Sequence, residues 1–296
     1  MTPFEENRPL GELTTLGIGG AADFFFRAER EEEARAALAF ASEEGLPLLL
    51  FAGGSNLLLP DAGWRGLALQ LAFGELEFLE EGKVRAAAGL PLAQLVLKSA
   101  ARGLDTSSLA GIPGSVGGAI RGNAGNSPAR GGATIADFLK TARLLDLATG
   151  EEEKRAASQF NFAHRDSFLR QPEGKRFLLL SAELEFPRDE EKEIRARIAD
   201  WLALKKEVQP RGRSCGSIFR NPPGAPPAGK LLDDAGMKGE TRGGVRVSEQ
   251  HANFFLAEKG ALAADFLALA EEAERRVFES FGVRLEKEVE VVAPPL

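Results

Sequence analysis

The sequence predicts an α+β protein of three parts, residues 1–66, 67–195 and 196–296. Two changes along the chain indicate this class. Residues 20–54 alternate strand, helix and strand, whereas shorter strand-like runs follow from residue 67. A stretch rich in proline and glycine, residues 209–230, then precedes a long amphipathic helix and a final strand. A length of 296 residues is typical of two or three domains.

The first part is predicted to begin with the strand ADFFFRA, which follows a glycine-rich turn. The next helix places Ala34, Ala37, Leu38 and Ala41 on one face, and its first turn is acidic, as the helix dipole favours. This helix ends at Gly45. The run LPLLLFAGGSNLLL is continuously apolar, which indicates a strand buried on both faces of a parallel sheet.

The second part is predicted to contain the strands ALQLA, LEFLE and KVRAAAG and a helix that starts near Pro91. Further strands are predicted over residues 142–148 and 177–186. Residues 189–208 have the apolar spacing and the acid-to-base pairs of a helix. In the third part, an amphipathic helix ends at Gly282 and an alternating strand, VRLEKEVEVV, follows it.

Composition argues against several classes of function. The net charge is −7 with acids and bases interleaved, so nucleic-acid binding is not expected. The longest apolar run, residues 46–52, is far shorter than the roughly 20 residues of a membrane span, and the N-terminus lacks a secretory pattern. We therefore expect a cytoplasmic protein that does not associate with membranes. Cys215 is the only cysteine and His164 and His251 are the only histidines, which argues against a disulfide or a metal site.

Glycines cluster in three segments, residues 17–20, 53–56 and 114–118. None of them is G-x-G-x-x-G or a P-loop, so neither a nicotinamide-binding Rossmann domain nor a P-loop nucleotide site is expected. Each segment alone is typical of a tight turn. Three such segments within 120 residues, two of them with Ser or Asn donors, favour backbone contacts to one elongated, phosphate-bearing ligand.

Eight motifs follow one another from about residue 13 to residue 291: T-L-G-I-G-G, G-G-S-N-L-L, G-I-P-G-S-V-G-G-A, H-R-D-S, C-G-S-I-F-R-N-P, A-G-K-L-L, S-E-Q-H-A-N-F and L-E-K-E-V. In kind and order they resemble the UDP-N-acetylenolpyruvoylglucosamine reductases, a flavoenzyme family with the vanillyl-alcohol-oxidase-type FAD-binding fold. The resemblance implies a two-part FAD-binding region followed by an α+β substrate-binding domain. It also implies NADPH as the reductant, a UDP-sugar as the substrate, and a role in peptidoglycan precursor synthesis. The expected oligomeric state is a monomer.

The resemblance assigns two loops to the cofactor. The residues implied in FAD binding are Gly53, Gly54, Ser55, Asn56, Ile112, Pro113, Gly114, Ser115, Gly117 and Gly118. These loops contain no histidine or cysteine to which a flavin could be tethered, so we expect FAD to bind without a covalent bond.

Three side chains are implied in the chemistry. Arg165 matches the residue that stabilises the charge developing on the enolpyruvyl group. A guanidinium suits this role because it is permanently charged and can donate two hydrogen bonds to one carboxylate. Ser217 matches the proton donor. Glu288 matches the third active-site residue, where a neutral carboxyl could hydrogen-bond the enolate. From the residues alone, Arg165 could instead form a surface ion pair with Asp166 or another nearby acid, and Ser217 could be a turn serine. Cys215 is expected to be a packed residue.

Substrate contacts are implied at Asn221, Lys230 and His251. The resemblance also draws in Asn253 and one of two adjacent lysines, Lys205 or Lys206, whose alignment is uncertain by one position. Two of these have ordinary alternatives, because Asn221 precedes a proline and could belong to a turn, and Lys230 could be solvated.

Two departures from the family pattern stand out. Many relatives have tyrosine immediately before the catalytic arginine, where this sequence has His164, and the chain contains no tyrosine. No tyrosine-bearing insertion lies between Asn221 and Lys230, so the chain resembles the subclass without the extra loop over the substrate. Two other functions stay open at this point: an FAD oxidase of similar fold, and a nucleotide-binding protein without turnover.

Overall fold

The computed structural model describes residues 4–126 and 130–294, and this part of the chain contains six α-helices and four β-sheets. Among the described residues, no helix is long and apolar enough to cross a membrane. The four sheets contain four, five, three and two strands. The predicted mixture of helices and strands is confirmed.

The first lobe contains a mostly parallel, four-stranded sheet. Its elements are β1 (Glu5–Pro9), β2 (Ala21–Ala28), α1 (Glu31–Glu43), β3 (Leu48–Phe51), β4 (Leu57–Leu58) and β5 (Trp64–Leu71). The strand order is β1-β2-β5-β3, and only β1 and β2 are antiparallel. Helix α1 buries Ala34, Ala37 and Ala41, as the spacing predicts. Strand β3 ends just before Gly53, so the predicted strand does open into a glycine turn at this edge.

The second lobe contains an antiparallel, five-stranded sheet. Its elements are β6 (Leu76–Phe78), β7 (Lys83–Ala87), α2 (Leu92–Ala100), α3 (Val116–Arg121), β8 (Leu139–Asp146), β9 (Glu152–Ala156) and β10 (Phe177–Glu185). The order is β6-β7-β10-β8-β9, and the central strand β10 is almost entirely buried. Helices α2 and α3 contribute Leu95, Val96 and Ile120 to the same core as this sheet, which fixes the loop in front of α3 against rigid structure.

The remaining elements are α4 (Glu191–Val208), α5 (Ala228–Asp234), β11 (Thr241–Arg242), β12 (Val245–Val247), β13 (Phe255–Ala257), α6 (Ala263–Phe281) and β14 (Glu290–Val291). Strands β11, β12 and β13 form a small antiparallel sheet, and α5 and α6 share its core. Helix α6 is followed by Gly282 in the left-handed conformation, as expected of a glycine that ends a helix.

Two predicted boundaries cut through elements. The boundary at residue 66 falls inside β5, and the predicted strand ALQLA is the end of β5 and belongs to the first sheet. The boundary at residue 195 falls inside α4, whose Ile194 and Ile198 join the core of the second lobe. The residue pattern changes where the burial of the chain changes. This position does not coincide with the position where the chain leaves a sheet. The division into three domains stays a prediction.

The predicted final strand is wrong in its extent. Regular strand structure is confined to β14, and residues before it make isolated pairings such as that of Lys287 with Phe219. Leu285 and Val289 are buried, whereas Val291 is exposed, so burial does not alternate regularly to the end of the segment. Strand β14 pairs in parallel with β4 of the first lobe, and these two short strands form the two-stranded sheet.

Several contacts join the third part of the chain to the first lobe. Asp61, in the loop before β5, accepts hydrogen bonds from the backbone N–H groups of Ala263 and Ala264 at 2.7 and 3.0 Å, and so caps the start of α6. Leu16 and Leu58 of the first lobe are buried in the core of the third part. These contacts hold α6 and the core of the third part against the first lobe.

Candidate active site

The two predicted cofactor loops touch each other through glycine. A Cβ atom on Gly53 would lie 3.0 Å from the Cα of Gly114, and one on Gly114 would lie 2.7 Å from Ser55 Oγ. Gly114 also has φ +99°, a conformation that L residues rarely adopt. The close approach therefore requires glycine at both positions.

The second loop leads directly into α3. Ser115 caps this helix, since its Oγ accepts a hydrogen bond from the N–H of Gly118 at 3.2 Å. Gly117 packs so closely on Ala88 that a Cβ would lie 3.0 Å from that residue. Ile112 is half-buried against the core, and Pro113 and Gly118 are exposed. The loop therefore packs against the protein on one side and is exposed on the other.

The loops suit the diphosphate of FAD. Residues 53–56 and 112–118 contain no acidic side chain, and Gly53 and Gly118 present accessible backbone. Backbone N–H groups without an intervening side chain are the donors that protein sites use for phosphate. The implied residues Gly53, Gly114 and Gly118 therefore fit this cofactor.

Asn56 reaches from the first loop to the C-terminal segment, residues 283–292. Its side-chain amide donates to the carbonyl of Glu288 at 3.1 Å, and its own carbonyl accepts from the N–H of Glu290 at 3.0 Å. The resemblance implies a cofactor role for Asn56, and its side chain has this additional contact. The loop predicted to bind the cofactor and the backbone of Glu288 are thus directly connected.

Arg165 and Glu288 form an ion pair, with 3.1 Å between Arg165 Nε and Glu288 Oε1. The alternative pairing of Arg165 with Asp166 is not the one observed, because the Asp166 carboxylate accepts from Gln171 and Ser167 instead. Both members of the pair are partly buried, which makes the contact less screened than a surface ion pair. Two residues that the resemblance implies in catalysis therefore meet directly. The expected role of Glu288 as a neutral carboxyl that hydrogen-bonds the enolate is not tested by this contact and stays a prediction.

Arg165 lies at the tip of a tight turn. Ala163 and Asp166 exchange two backbone hydrogen bonds at 3.1 and 3.2 Å, and Arg165 between them has φ +57°. A non-glycine residue in this region is uncommon and is often found at functional sites. Asn123 supports the turn, since its side-chain amide donates to the carbonyl of Ala163 at 2.9 Å. His164 lies exposed beside Arg165 at the same tip.

Ser217 lies on a short extended segment next to Glu288. The N–H of Glu288 donates to the carbonyl of Ile218 at 2.7 Å, and the N–H of Arg220 donates to the carbonyl of Glu286 at 2.9 Å. On its other side, Ser217 pairs with Phe254. Gly216, with φ +83°, makes the turn that precedes the segment. The backbones of Ser217 and Glu288 are therefore fixed in one register.

Ser217 opens into a cavity of about 340 Å³. The lining residues are Ser217, Asn221, Pro227, Gly229, Lys230, Asp233, Gln250, His251 and Asn253. Of the residues implied in substrate binding, Asn221, Lys230, His251 and Asn253 are among them, whereas Lys205 and Lys206 are not. Asp233 and Gln250 were not predicted, although Gln250 lies in the same S-E-Q-H-A-N-F motif as His251 and that adjacency could have indicated it.

The polar side chains that line the cavity differ in how far their hydrogen-bonding groups are already bonded within the chain. Asn221 Oδ1 accepts from the N–H of Ala228 at 3.0 Å and so holds the start of α5, but its amide NH₂ stays available. Lys230 pairs with Asp234 at the exposed rim. Surface pairs of this kind are weak, so an anionic ligand could displace Asp234 from Lys230.

His251 has a lowered pKa and a ring held by a backbone hydrogen bond. Burial lowers its pKa below the usual value, and the charge of Lys238 lowers it further. Its Nδ1 accepts from the N–H of Asn253 at 3.2 Å, so the ring proton lies on Nε2. The ring also packs edge-on against Phe254, with 4.9 Å between centroids. His251 therefore offers one N–H donor to the cavity.

The structure distinguishes the two candidate lysines. Burial lowers the pKa of Lys205 to about 8, and the nearby positive charge of Arg165 also lowers it. The stem of Lys205 crosses Gly111, where a Cβ would lie 2.8 Å from Lys205 Cδ. Lys206 is exposed. Lys205 is therefore the lysine that shares the electrostatic environment of Arg165.

Cys215 is a packed residue, as predicted. It is buried in the core of the third part, and burial raises the pKa of its thiol to about 12, with the charge of Glu288 raising it as well. A thiol with this pKa is not a nucleophile near neutral pH.

Comparisons with known proteins identify the family of the chain. A family model described as an FAD binding domain matches residues 22–154, and one described as the C-terminal domain of UDP-N-acetylenolpyruvoylglucosamine reductase matches residues 196–292. Reductases of that name from Geobacter metallireducens and Gloeobacter violaceus are 38% and 36% identical, over 97% and 95% of this chain and 93% of each relative.

A solved structure extends the likeness to three dimensions. The UDP-N-acetylenolpyruvylglucosamine reductase from Thermus caldophilus has a TM-score of 0.80 and 32% identity, with 98% of each chain covered. The fold and these matches define a flavin-dependent oxidoreductase with an FAD-binding region. The chain belongs to the UDP-N-acetylenolpyruvoylglucosamine reductase family, so the resemblance found in the sequence is confirmed.

Proposed function

We propose that the protein uses NADPH and non-covalently bound FAD to reduce UDP-N-acetylglucosamine enolpyruvate to UDP-N-acetylmuramate, a peptidoglycan precursor. The ion pair between Arg165 and Glu288, next to the Ser217 segment and the loop at Asn56, is the observation that carries this proposal. It supports a single site in which cofactor loops and catalytic side chains meet. We also propose that the protein acts in the cytoplasm as a monomer.

FAD, when bound, supplies hydride transfer from NADPH to C3 of the enolpyruvyl group. The work of the chain is to hold FAD at Gly53–Asn56 and Ile112–Gly118 and to stabilise the charge that reduction places on C2 and the carboxylate. Arg165 supplies the cationic fork for that carboxylate, and Glu288 holds the fork in place. Lys205 adds a second positive charge on the same side.

Ser217 delivers the proton. Its hydroxyl is a weak acid, but the carbanionic centre at C2 is a strong base, so a positioned alcohol is sufficient. The proton leaves Ser217 Oγ for C2 and is recovered from solvent after the reduced product departs. In the cavity beside Ser217, Lys230 and the Nε2–H of His251 suit the diphosphate of a UDP-sugar, and Asn221 retains a free NH₂.

The test separates the two half-reactions. The purified protein should be yellow, lose its flavin colour on addition of NADPH without oxygen, and regain it when UDP-N-acetylglucosamine enolpyruvate is added. Colour that returns only with oxygen would instead support an FAD oxidase. An apoprotein that takes up no FAD would contradict the proposal altogether.

A further inference from the structure

Asn253 is a buried residue whose side-chain amide makes two hydrogen bonds with the backbone beside Ser217. Its Oδ1 accepts from the N–H of Phe219 at 2.9 Å, and its Nδ2 donates to the carbonyl of Phe219 at 2.8 Å. Asn253 is 3% exposed and Phe219 is 1% exposed. Only one orientation of the amide satisfies both bonds, so the side chain acts as a two-point clasp.

The clasp completes the support of the Ser217 segment. On one side, the segment is bonded to the backbone of Glu286 and Glu288. On the other, the carbonyl of Asn253 accepts from the N–H of Ile218 at 2.9 Å, and its side chain supplies the two bonds to Phe219 that a neighbouring strand would otherwise make. Without that side chain, two buried backbone groups of Phe219 would lose their partners.

Asn253 also fixes a second wall of the cavity. Its N–H donates to Nδ1 of His251 at 3.2 Å, which leaves the ring proton on Nε2. Ser217 and His251 both line the cavity, and Asn253 is bonded to the backbone beside one and to the ring of the other. One residue therefore connects the proposed proton donor with a proposed substrate contact.

We propose that Asn253 is a positioning residue for Ser217 rather than a substrate contact. The resemblance groups Asn253 with the substrate-binding residues and Asn253 does line the cavity, but each polar atom of its amide already has a partner in the backbone of Phe219. Its task is to hold Ser217 at the place from which Oγ reaches C2 of the enolpyruvyl group. This inference rests on the proposed function.

The experiment compares Asn253→Asp and Asn253→Ser with the unchanged holoenzyme. The aspartate variant keeps the size and one acceptor but faces the carbonyl of Phe219 with an oxygen, whereas serine removes both bonds. Rapid mixing measures flavin reduction by NADPH and flavin reoxidation by UDP-N-acetylglucosamine enolpyruvate separately. We expect reoxidation to slow by about 10- to 100-fold, because misplacement of a catalytic group by about 1 Å costs that much, and reduction to change less than about twofold.

A double substitution tests whether Asn253 acts through Ser217. In a Ser217→Ala background, Asn253→Ser should slow reoxidation by less than about threefold further, since residues that act as a unit are not additive. The same fold-change in both backgrounds would overturn the proposal, because it would show that Asn253 acts independently of the hydroxyl. The melting temperature and the FAD content of each variant are measured beside the rates.

Thr106→Val is the matched control. Thr106 is fully buried, and its Oγ1 donates to the carbonyl of Val96 at 3.1 Å, so valine removes one buried hydrogen bond at constant shape, away from the Ser217 segment. It should lower stability without changing either half-reaction. Equal loss in both half-reactions for Asn253→Asp, or a loss that Thr106→Val reproduces at equal destabilisation, would assign Asn253 a structural role only. If the unchanged protein is not reoxidised by the substrate, the proposed function fails and not this inference alone.

Discussion

In the paired loops at Gly53 and Gly114 the backbone itself forms the proposed cofactor-binding surface, whereas in the cavity beside Ser217 side chains form the proposed substrate-binding surface. The loops come so close that glycine is required at their contact, with 3.0 Å between a Cβ on Gly53 and the Cα of Gly114. In the cavity, Lys230 and His251 come from a short helix and from a loop far along the chain. Binding at a backbone-built site is therefore weakened when a substitution adds side-chain atoms. Function at a side-chain-built site is weakened when a substitution removes them.

Ser217→Ala should produce the largest effect on the side-chain-built site. Flavin reduction by NADPH should be unchanged, whereas reoxidation by UDP-N-acetylglucosamine enolpyruvate should fall by about 10³-fold or more, because general-acid catalysis contributes about 10²–10⁴-fold. Anaerobic rapid mixing measures both steps. An equal loss in both would mean that Ser217 has a structural role, and the contrast between the two regions would no longer hold.

Gly114→Ala should act on the backbone-built site instead. A Cβ there would meet Ser55 Oγ at 2.7 Å, and φ +99° is strained for alanine. Strain of about 1–3 kcal/mol would weaken FAD binding by about 10- to 100-fold, as titration of the apoprotein would measure. Gly74→Ala is the control, since its Cβ would lie 3.6 Å from Leu90 Cδ1, an ordinary contact. Similar affinities for the two variants would contradict the role given to the loop contact.

The two regions also differ in how far the sequence predicts them. The glycine clusters at residues 53–56 and 114–118 stand out from the residues alone, because few structures other than tight turns and anion-binding loops need them. No local pattern brings Arg165 to Glu288, since that contact depends on the C-terminal segment crossing between lobes. The resemblance to the family identified Arg165 and Glu288, but it did not indicate the two hydrogen bonds between the Asn253 side chain and Phe219.

The boundaries between the three parts of the chain were the least predictable feature of the fold, because they also depend on contacts between residues far apart in sequence. Helix α4 is a clear amphipathic helix in sequence, and its predicted extent is confirmed to within two residues. Its assignment to a lobe depends on which core receives Ile194 and Ile198, and periodicity carries no information about the partner. Likewise, the alternation around Glu288 predicted a long strand, but only β14 has a neighbouring strand with which to pair.

A smaller effect is expected from pH through Lys205. Its pKa is lowered to about 8, so the ammonium is present below pH 8 and is lost as the pH rises above it. If that charge helps to bind the anionic substrate, KM should rise about tenfold between pH 7 and pH 9. Lys205→Met should start with a high KM and lose this rise, whereas Lys206→Met, at an exposed neighbour, should keep it. A rise that persists in Lys205→Met would assign it to another group.

Cys215 should have the smallest effect, although it lies two residues from Ser217. With a pKa raised to about 12, only about one thiol in 10⁴ is ionised at pH 8, and burial limits access as well. Iodoacetamide should therefore leave the folded holoenzyme unmodified and label it in urea, as mass spectrometry would show. Cys215→Ala should keep reoxidation within about threefold, because only a packed side chain is changed. A loss as large as that of Ser217→Ala would move the proton donor from the hydroxyl to the thiol.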